Sequence, residues 1–533
     1  MQKKILILYC SMVLFAMVLL MQVYSLSFSS DLTQAATTQS SYSLEVTRTR
    51  GSIYDCKGRR LTERQSSYVA ALSPSVEAME LLAQTISGSQ RTAVLEQLRE
   101  GKPFLFPLQQ PLYGEGIRLF SVYERYDSQP FAAHILGYLD YEGKGVMGIE
   151  KAFEEQLRQA GERVLLRYGV DIQQRPLEAV EPQVSGSSQP VKAGVVLTLD
   201  EEIQLITQVV ARQMLDRGAV VVMDVDSGQL KGVASVPSFS PTDPAASLNR
   251  EDAPFLNRAF SAYNVGSTFK LAVAAAALEQ GVSPSYTIDC VGGVEVAQRM
   301  VYCHYRAGHR RTDMEKALEQ SCNPYFISLA QQIGGDSILT MAKHMGLGSS
   351  TELAEGFSSA AGNLPSLQQV SSPLGLANVS FGQGELLATP VQIAAMVSSI
   401  ANGGYQVQPQ LVLGWTEDGT VPQPEEQASR QIFSRQTAEQ LQQFMIQVVE
   451  EGSGTNAKPD SGGAGGKTAS AQTGAYDESG EEIVHAWFAG FYPAEEAKYA
   501  IVVLAEGMES GGTYAAPVFK RICDNLARME PEE

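Results

Sequence analysis

The chain has 533 residues, 44% of them hydrophobic and 19% charged, enough apolar material for more than one core and too much for a disordered chain. Fifty-nine acidic against 40 basic side chains leave a formal charge of -19, which speaks against nucleic acid as a partner because a polyanion is repelled at long range. Six scattered cysteines without a C-x-x-C pair, and five dispersed histidines without H-E-x-x-H, exclude a disulfide scaffold, structural zinc and a metal hydrolase on sequence grounds, so no metal or cofactor is expected.

The first element is an uncharged run from Ile5 to about Val23 behind Lys3 and Lys4, about the length that crosses a bilayer as a helix. It is too long for the apolar core of a signal peptide. The two lysines predict that residues 1–4 stay cytoplasmic, residues 5–24 form a single-pass anchor in the plasma membrane, and nearly all of the remainder is extracytoplasmic. ATP and NAD chemistry do not belong in that compartment. A Ser/Thr/Gln-rich stretch, 25–43, reads as a stalk. A first folded region follows from about Leu44 to Leu165, and Asp171–Gly194, rich in Gln, Pro, Ser and Gly, reads as a linker. Residues 44–194 are thus one unit with its linker, and 195–533 a second.

In the second unit, Gly218–Asp224 and Gln229–Ser235 flank Asp226-Ser227-Gly228 and predict a β-hairpin. Ser267–Gln280, ended by Gly281, predicts a helix. Val484–Tyr492 and Tyr499–Ala505 predict a second antiparallel pair, and Pro517 opens a closing helix that ends around Arg528. Strands at both ends with helices between them indicate an α+β fold whose antiparallel sheet joins sequence-distant strands.

Three short motifs carry chemistry. Ser267 and Lys270 stand one turn apart at a helix start, so hydroxyl and amine can meet near the unpaired N–H groups of the helix terminus. Ser321-Cys322-Asn323 falls in a turn between the helical patterns Met314–Leu318 and Pro324–Gln332. Ser247-Leu248-Asn249 has the same letters but precedes Ser267 and serves as the decoy. Gly466-Lys467-Thr468-Ala469-Ser470 is the third motif. It is not a Walker A loop, because the first glycine of that motif would fall at Ser461.

S-x-x-K, S-x-N and K-T in this order resemble the signature set of penicillin-binding proteins and serine β-lactamases. Asn257-Arg258-Ala259, Phe381-Gly382-Gln383-Gly384, Ala388-Thr389-Pro390, Ala401-Asn402-Gly403-Gly404 and His485-Ala486-Trp487-Phe488 extend the similarity through the transpeptidase domain. Arg50-Gly51 to Asp55, with Gly58 and Leu61, resembles the N-terminal pedestal of class B, monofunctional penicillin-binding proteins. The resemblance implies a penicillin-binding transpeptidase fold, an antiparallel sheet flanked by helices plus a helical subdomain, on an elongated pedestal with one membrane helix. It implies a peptidoglycan D,D-transpeptidase that cross-links stem peptides through a Ser267 acyl-enzyme and releases D-alanine. Lys270 would be the base, its charge controlled by burial and by Lys467; Ser321 would relay a proton, and Asn323 would bind the donor peptide. Thr468, Ala469 and Ser470, with Lys467, would form the oxyanion and carboxylate site. Expected partners are stem peptides, the lipid-linked precursor, a membrane glycosyltransferase and, as inhibitors, β-lactams; no cofactor is implied. The other readings are an acyl-enzyme hydrolase (β-lactamase or carboxypeptidase) and a non-enzymatic or weakly active scaffold for a membrane glycosyltransferase.

Two positions depart from the family's pattern. Ala469 stands where glycine is usual, so its methyl is expected to crowd the neighbouring motifs, and Val265 replaces a common proline. Cys290 and Cys303 could bridge, but free thiols are the expectation, with Cys322 a buried small hydrophobe. The C-terminal repeats of some relatives are not expected after the closing helix. Because the net charge would repel anionic wall material, Lys270 and Lys467 are expected to supply the local attraction.

Overall fold

In a computed structural model, residues 2–27, 40–86, 88–177, 180–424 and 429–529 are described. Most of the predicted stalk lies outside them. Gln2–Ser27 is one helix, and its stretch Lys3–Ser25 is long and apolar enough to cross a membrane.

Chain contacts form two compact units. One gathers residues up to Arg50, Glu63–Arg125 and Arg158–Val191. Here Ser41–Arg48 pairs antiparallel with Arg163–Gly169, and Gln65–Leu72 runs between Phe104–Leu108 and Ile117–Glu124. Helices Val76–Thr85 and Gly88–Arg99 contribute Leu82, Val94 and Leu98 to a small core with Ala70 and Leu72 of the second sheet.

The other unit gathers Gly51–Thr62, Tyr126–Leu157 and Lys192–Glu533. The chain therefore crosses between units several times, where a single cut at 194/195 would have it cross once. The reason is visible at Ser52–Tyr54, a buried strand that pairs parallel with Gly194–Leu197 and brings Asp55 with it. The Asp55 carboxylate accepts from Arg59 Nε at 2.7 Å, and the same guanidinium reaches Asp200 at 3.0 Å and Glu202 at 2.9 Å.

The centre of this unit is a five-stranded antiparallel sheet in the order Leu230–Val236, Gly218–Asp224, Tyr499–Glu506, Glu482–Tyr492, Gly465–Tyr476. Strand periodicity sends alternate side chains to opposite faces, and both faces here are apolar. Val221, Met223, Val502 and Leu504 enter a large core with the helices Lys270–Glu279, Pro390–Ala401 and Arg435–Glu450. Val220, Val222, Ile501 and Val503 enter a second core against Glu201–Met214 and Ala516–Met529. Full burial of each such side chain is worth about 1.5–3 kcal/mol, so the sheet is the best-anchored part of the unit. The predicted hairpin, the second strand pair and the closing helix are all present. What the composition does not announce is the strand Gly465–Tyr476, whose many Gly and Ala residues have weak β preference; register with Glu482–Tyr492 decides it.

Candidate active site

The first motif is built on a short 3₁₀ turn, Gly266–Phe269, that passes into the α-helix Lys270–Glu279, in place of the single α-helix predicted. The change matters because side chains three apart eclipse one another on a 3₁₀ turn, which sets Lys270 directly after Ser267 on one face. Trp487, fully buried, donates its indole N–H to the Asn264 carbonyl at 2.9 Å and fixes the approach to the turn. Gly382 closes the other side: a Cβ there would sit 1.7 Å from the Gly266 carbonyl oxygen, so only glycine fits, and its φ of +81° suits that residue.

Lys270 is fully buried, and its ammonium donates to the Ser321 carbonyl at 2.8 Å, to Ser321 Oγ at 3.1 Å and to Asn323 Oδ1 at 2.7 Å. Ser321 can offer both oxygens because it takes a left-handed φ of +54° between the helices Met314–Glu319 and Asn323–Ile333. Asn323 is held in turn by its amide N–H on the Tyr302 carbonyl at 3.3 Å. Burial pushes the Lys270 amine down to about 7, against an opposing pull from the Cys322 and Cys303 sulfurs. Lys467 is also fully buried; desolvation first, then the charge of Lys270, holds it well below the ordinary lysine range.

The third motif lies within the strand Gly465–Tyr476, at the open edge of the central sheet. Among the described residues no strand pairs with its outer edge, the arrangement that accepts an extended peptide. Thr468 Oγ1 is 2.7 Å from Ser453 Oγ, and Ser470 is exposed. Ala469 is buried opposite Trp487, with its methyl in the large core. Gly511 packs against the backbone of the same pair, where a Cβ would come within 2.5 Å of the Ala469 carbonyl oxygen.

Ser267, Ser321, Asn323, Thr468, Ala469 and Ser470 all line one cleft of about 510 Å³, with Lys270 and Lys467 buried beyond its lining. The decoy Ser247 lines a different cavity of about 700 Å³, which holds none of these groups. Sequence reasoning missed Ser453, whose partner Thr468 is fifteen residues away with no shared pattern. Lys270 and Lys467, expected to supply the local attraction, are both fully buried, whereas Arg306, stacked over the Tyr302 ring at 3.8 Å, is an exposed cation of the cleft lining. Cys290, Cys303, Cys322 and His309 are scattered in sequence but adjacent in space.

Residues 218–524 match the family profile "Penicillin binding protein transpeptidase domain". The chain belongs to the penicillin-binding protein transpeptidase family. It is 30% identical over 426 residues to stage V sporulation protein D of Bacillus subtilis, covering 75% of this chain and 63% of that relative's length. Among the solved structures that share its fold are two that cover more than nine-tenths of the chain. One, titled as the structural coordination of polymerization and crosslinking by a peptidoglycan synthase complex, is 24% identical with a TM-score of 0.71 over 99% of each chain. The other, penicillin binding protein 3 from Mycobacterium tuberculosis complexed with aztreonam, is 22% identical with a TM-score of 0.65 over 92% of this chain and 97% of that one. Within the penicillin-binding protein frame, the outlying motifs acquire physical roles. Asn257 caps the turn that carries buried Arg258, Thr389 and Gln392 form a reciprocal cap on the helix Pro390–Ala401, and Trp487 holds Asn264.

Proposed function

We propose that the chain is a membrane-anchored peptidoglycan D,D-transpeptidase acting through a Ser267 acyl-enzyme. The observation that carries this is the buried Lys270 amine, one 3₁₀ turn from Ser267, bonded to Ser321 and Asn323 and pushed by burial down to about 7. Serine needs an adjacent base, and a base is most effective when its pKa lies near the working pH. Lys270 accepts the Ser267 proton as Oγ bonds the penultimate D-alanine carbonyl carbon. The oxyanion is held by the backbone N–H groups of Ser267 and Ser470, each such donor being worth about 3–4 kcal/mol. As the carbonyl reforms, the C–N bond breaks, and the proton held by Lys270 passes through the Ser321 hydroxyl, which gives one and takes one, to the departing D-alanine amine. An amine of a second stem peptide then attacks the ester, forms the cross-link and returns the proton to Ser267. Asn323 orients the donor peptide along the open strand edge, and Thr468 and Ser470, with Lys467 buried behind them, receive its terminal carboxylate. β-Lactams, which mimic that terminus, acylate the same serine; the aztreonam complex of the similar penicillin binding protein 3 supports this.

The helix Gln2–Ser27 is the anchor, with residues 1–4 cytoplasmic and the catalytic unit outside the membrane. The unit that carries Ser41–Arg48 and Gln65–Leu72 is the pedestal. A membrane glycosyltransferase is the proposed partner, supported by the similar fold found in a peptidoglycan synthase complex. The direct test is to incubate the purified chain with a polymerised stem-peptide substrate ending in D-Ala-D-Ala. Cross-linked dimers with one D-alanine released per link are expected. D-Alanine release without dimers would identify a hydrolase, and neither product would leave the scaffold reading.

A further inference from the structure

We infer that Cys290, Cys303, Cys322 and His309 form a closed tetrahedral zinc site that clamps the second motif. The four ligand atoms all lie within 4.8 Å of one another. His309 Nδ1 stands 3.5 Å from Cys303 Sγ and 3.7 Å from Cys290 Sγ. A tetrahedral ion with Zn–S of about 2.3 Å and Zn–N of about 2.05 Å requires S···N edges of about 3.6 Å, so these two edges already have the right length. Cys290, Cys303 and Cys322 are at most 1% exposed, and His309 is half-buried. Three sulfurs and one imidazole suit zinc, and four protein ligands leave no open position, which marks a structural and not a catalytic ion.

The backbone is built around this cluster. Ile288–Cys290 pairs antiparallel with Arg310–Thr312, which puts Cys290 opposite Arg310, next to His309. The Cys303 amide donates to the Gly292 carbonyl at 3.0 Å. Gly292 and Gly308 have φ of +92° and +80°, and a Cβ on either would fall within 2.2 Å of a backbone oxygen, of Arg306 and Cys290 respectively. The loop can therefore close only with glycine at both points. His304 Nδ1, 3.9 Å from Cys303 Sγ, is exposed and outside the four-atom group.

Two of the ligands touch the proposed chemistry by sequence. Cys322 lies between Ser321 and Asn323, and Cys303 follows Tyr302, whose carbonyl holds the Asn323 amide. A zinc ion would thus tie both supports of Asn323 to one point, making the four ligands positioning residues; only this consequence rests on the proposed transpeptidase reading. The test uses the full-length chain, purified in detergent under reducing conditions from zinc-supplemented cells. Metal analysis should find about one zinc per chain, and zinc-edge absorption should show three sulfur and one nitrogen neighbours. Cys290→Ser should lose the metal, and His309→Cys, which keeps four ligands, should retain it. Should the variants fail to fold, chelated and reduced wild type, titrated with zinc against a chromophoric chelator, should take up one equivalent. Failure to take up zinc would overturn the site, as would a Cys303–Cys322 disulfide in the protein as isolated from membranes. Slower penicillin labelling of the apo-protein, restored by zinc, is expected; unchanged labelling would overturn the clamp while leaving metal content to decide the site.

Discussion

The cleft has two walls of different construction. One is the strand Gly465–Tyr476, paired residue by residue with its neighbour from Gly465 to Gln472 and backed by buried Trp487 and Phe488. The other is the turn Ser321–Asn323, which lies outside the central sheet and depends on a left-handed serine, three hydrogen bonds to one buried lysine and a knot of sulfur and imidazole. Strand-borne groups are positioned by a cooperative lattice, so one substitution is shared among many contacts. Turn-borne groups are positioned by a few polar contacts, and each loss is local and large. The comparison teaches that the two walls should respond differently to mutation, although both line the same space.

The largest effect is expected at the joint between the walls. Lys270→Ala should slow acylation by penicillin by about 10²–10⁴-fold, the range for loss of a positioned base, measured by stopped-flow labelling. Next comes the turn wall. Asn323→Ala removes an acceptor from the Lys270 ammonium and a donor from the Tyr302 carbonyl, and hydrogen bonds to charged groups are worth about 1.5–3 kcal/mol, so a loss of about 10–100-fold is expected in the same assay. The strand wall should be more tolerant. Ala469→Gly should change acylation by less than about threefold while lowering thermal stability slightly, because its methyl is accommodated in the core and glycine costs about 0.5–1 kcal/mol in a strand. Arg306→Gln should slow labelling only slightly and make it less sensitive to salt, as expected for an exposed charge acting at a distance.

A pH series sharpens the same contrast. With Lys270 near 7, acylation should climb as pH rises through 7 and level off above it, and the strand variant should keep this profile. The stability sign follows from proton counting. Between the folded value of about 7 and the ordinary lysine value near 10.5, the unfolded chain binds the extra proton, so this group makes the fold more stable as pH rises across that window. Lys270→Met should remove that slope, as read by denaturation midpoints at pH 7 and 9.

The difference between the walls also explains what the sequence disclosed. Gly218–Asp224, Tyr499–Glu506 and the closing helix were legible because apolar runs and turn residues announce them locally. The grouping of Ser267, Lys270, Ser321, Asn323 and Thr468 was legible through motif order, since those short strings are the points where distant segments meet. The strand that carries Lys467 was not, because its small polar residues become a strand only by pairing. Ser453 and the cluster of Cys290, Cys303, His309 and Cys322 escaped for a related reason: each partnership is made by loop closure between positions with no common period. The 3₁₀ start of the Lys270 helix is a matter of one backbone turn, finer than helical periodicity resolves.

The central claim is that Ser267 is the acylated nucleophile, and mass spectrometry of the full-length chain after exposure to a penicillin tests it most directly. The account predicts one added penicilloyl group per chain, located on the peptide containing Ser267 and absent from Ser267→Ala. An adduct on any other residue, or equal labelling of the Ser267→Ala variant, would contradict it.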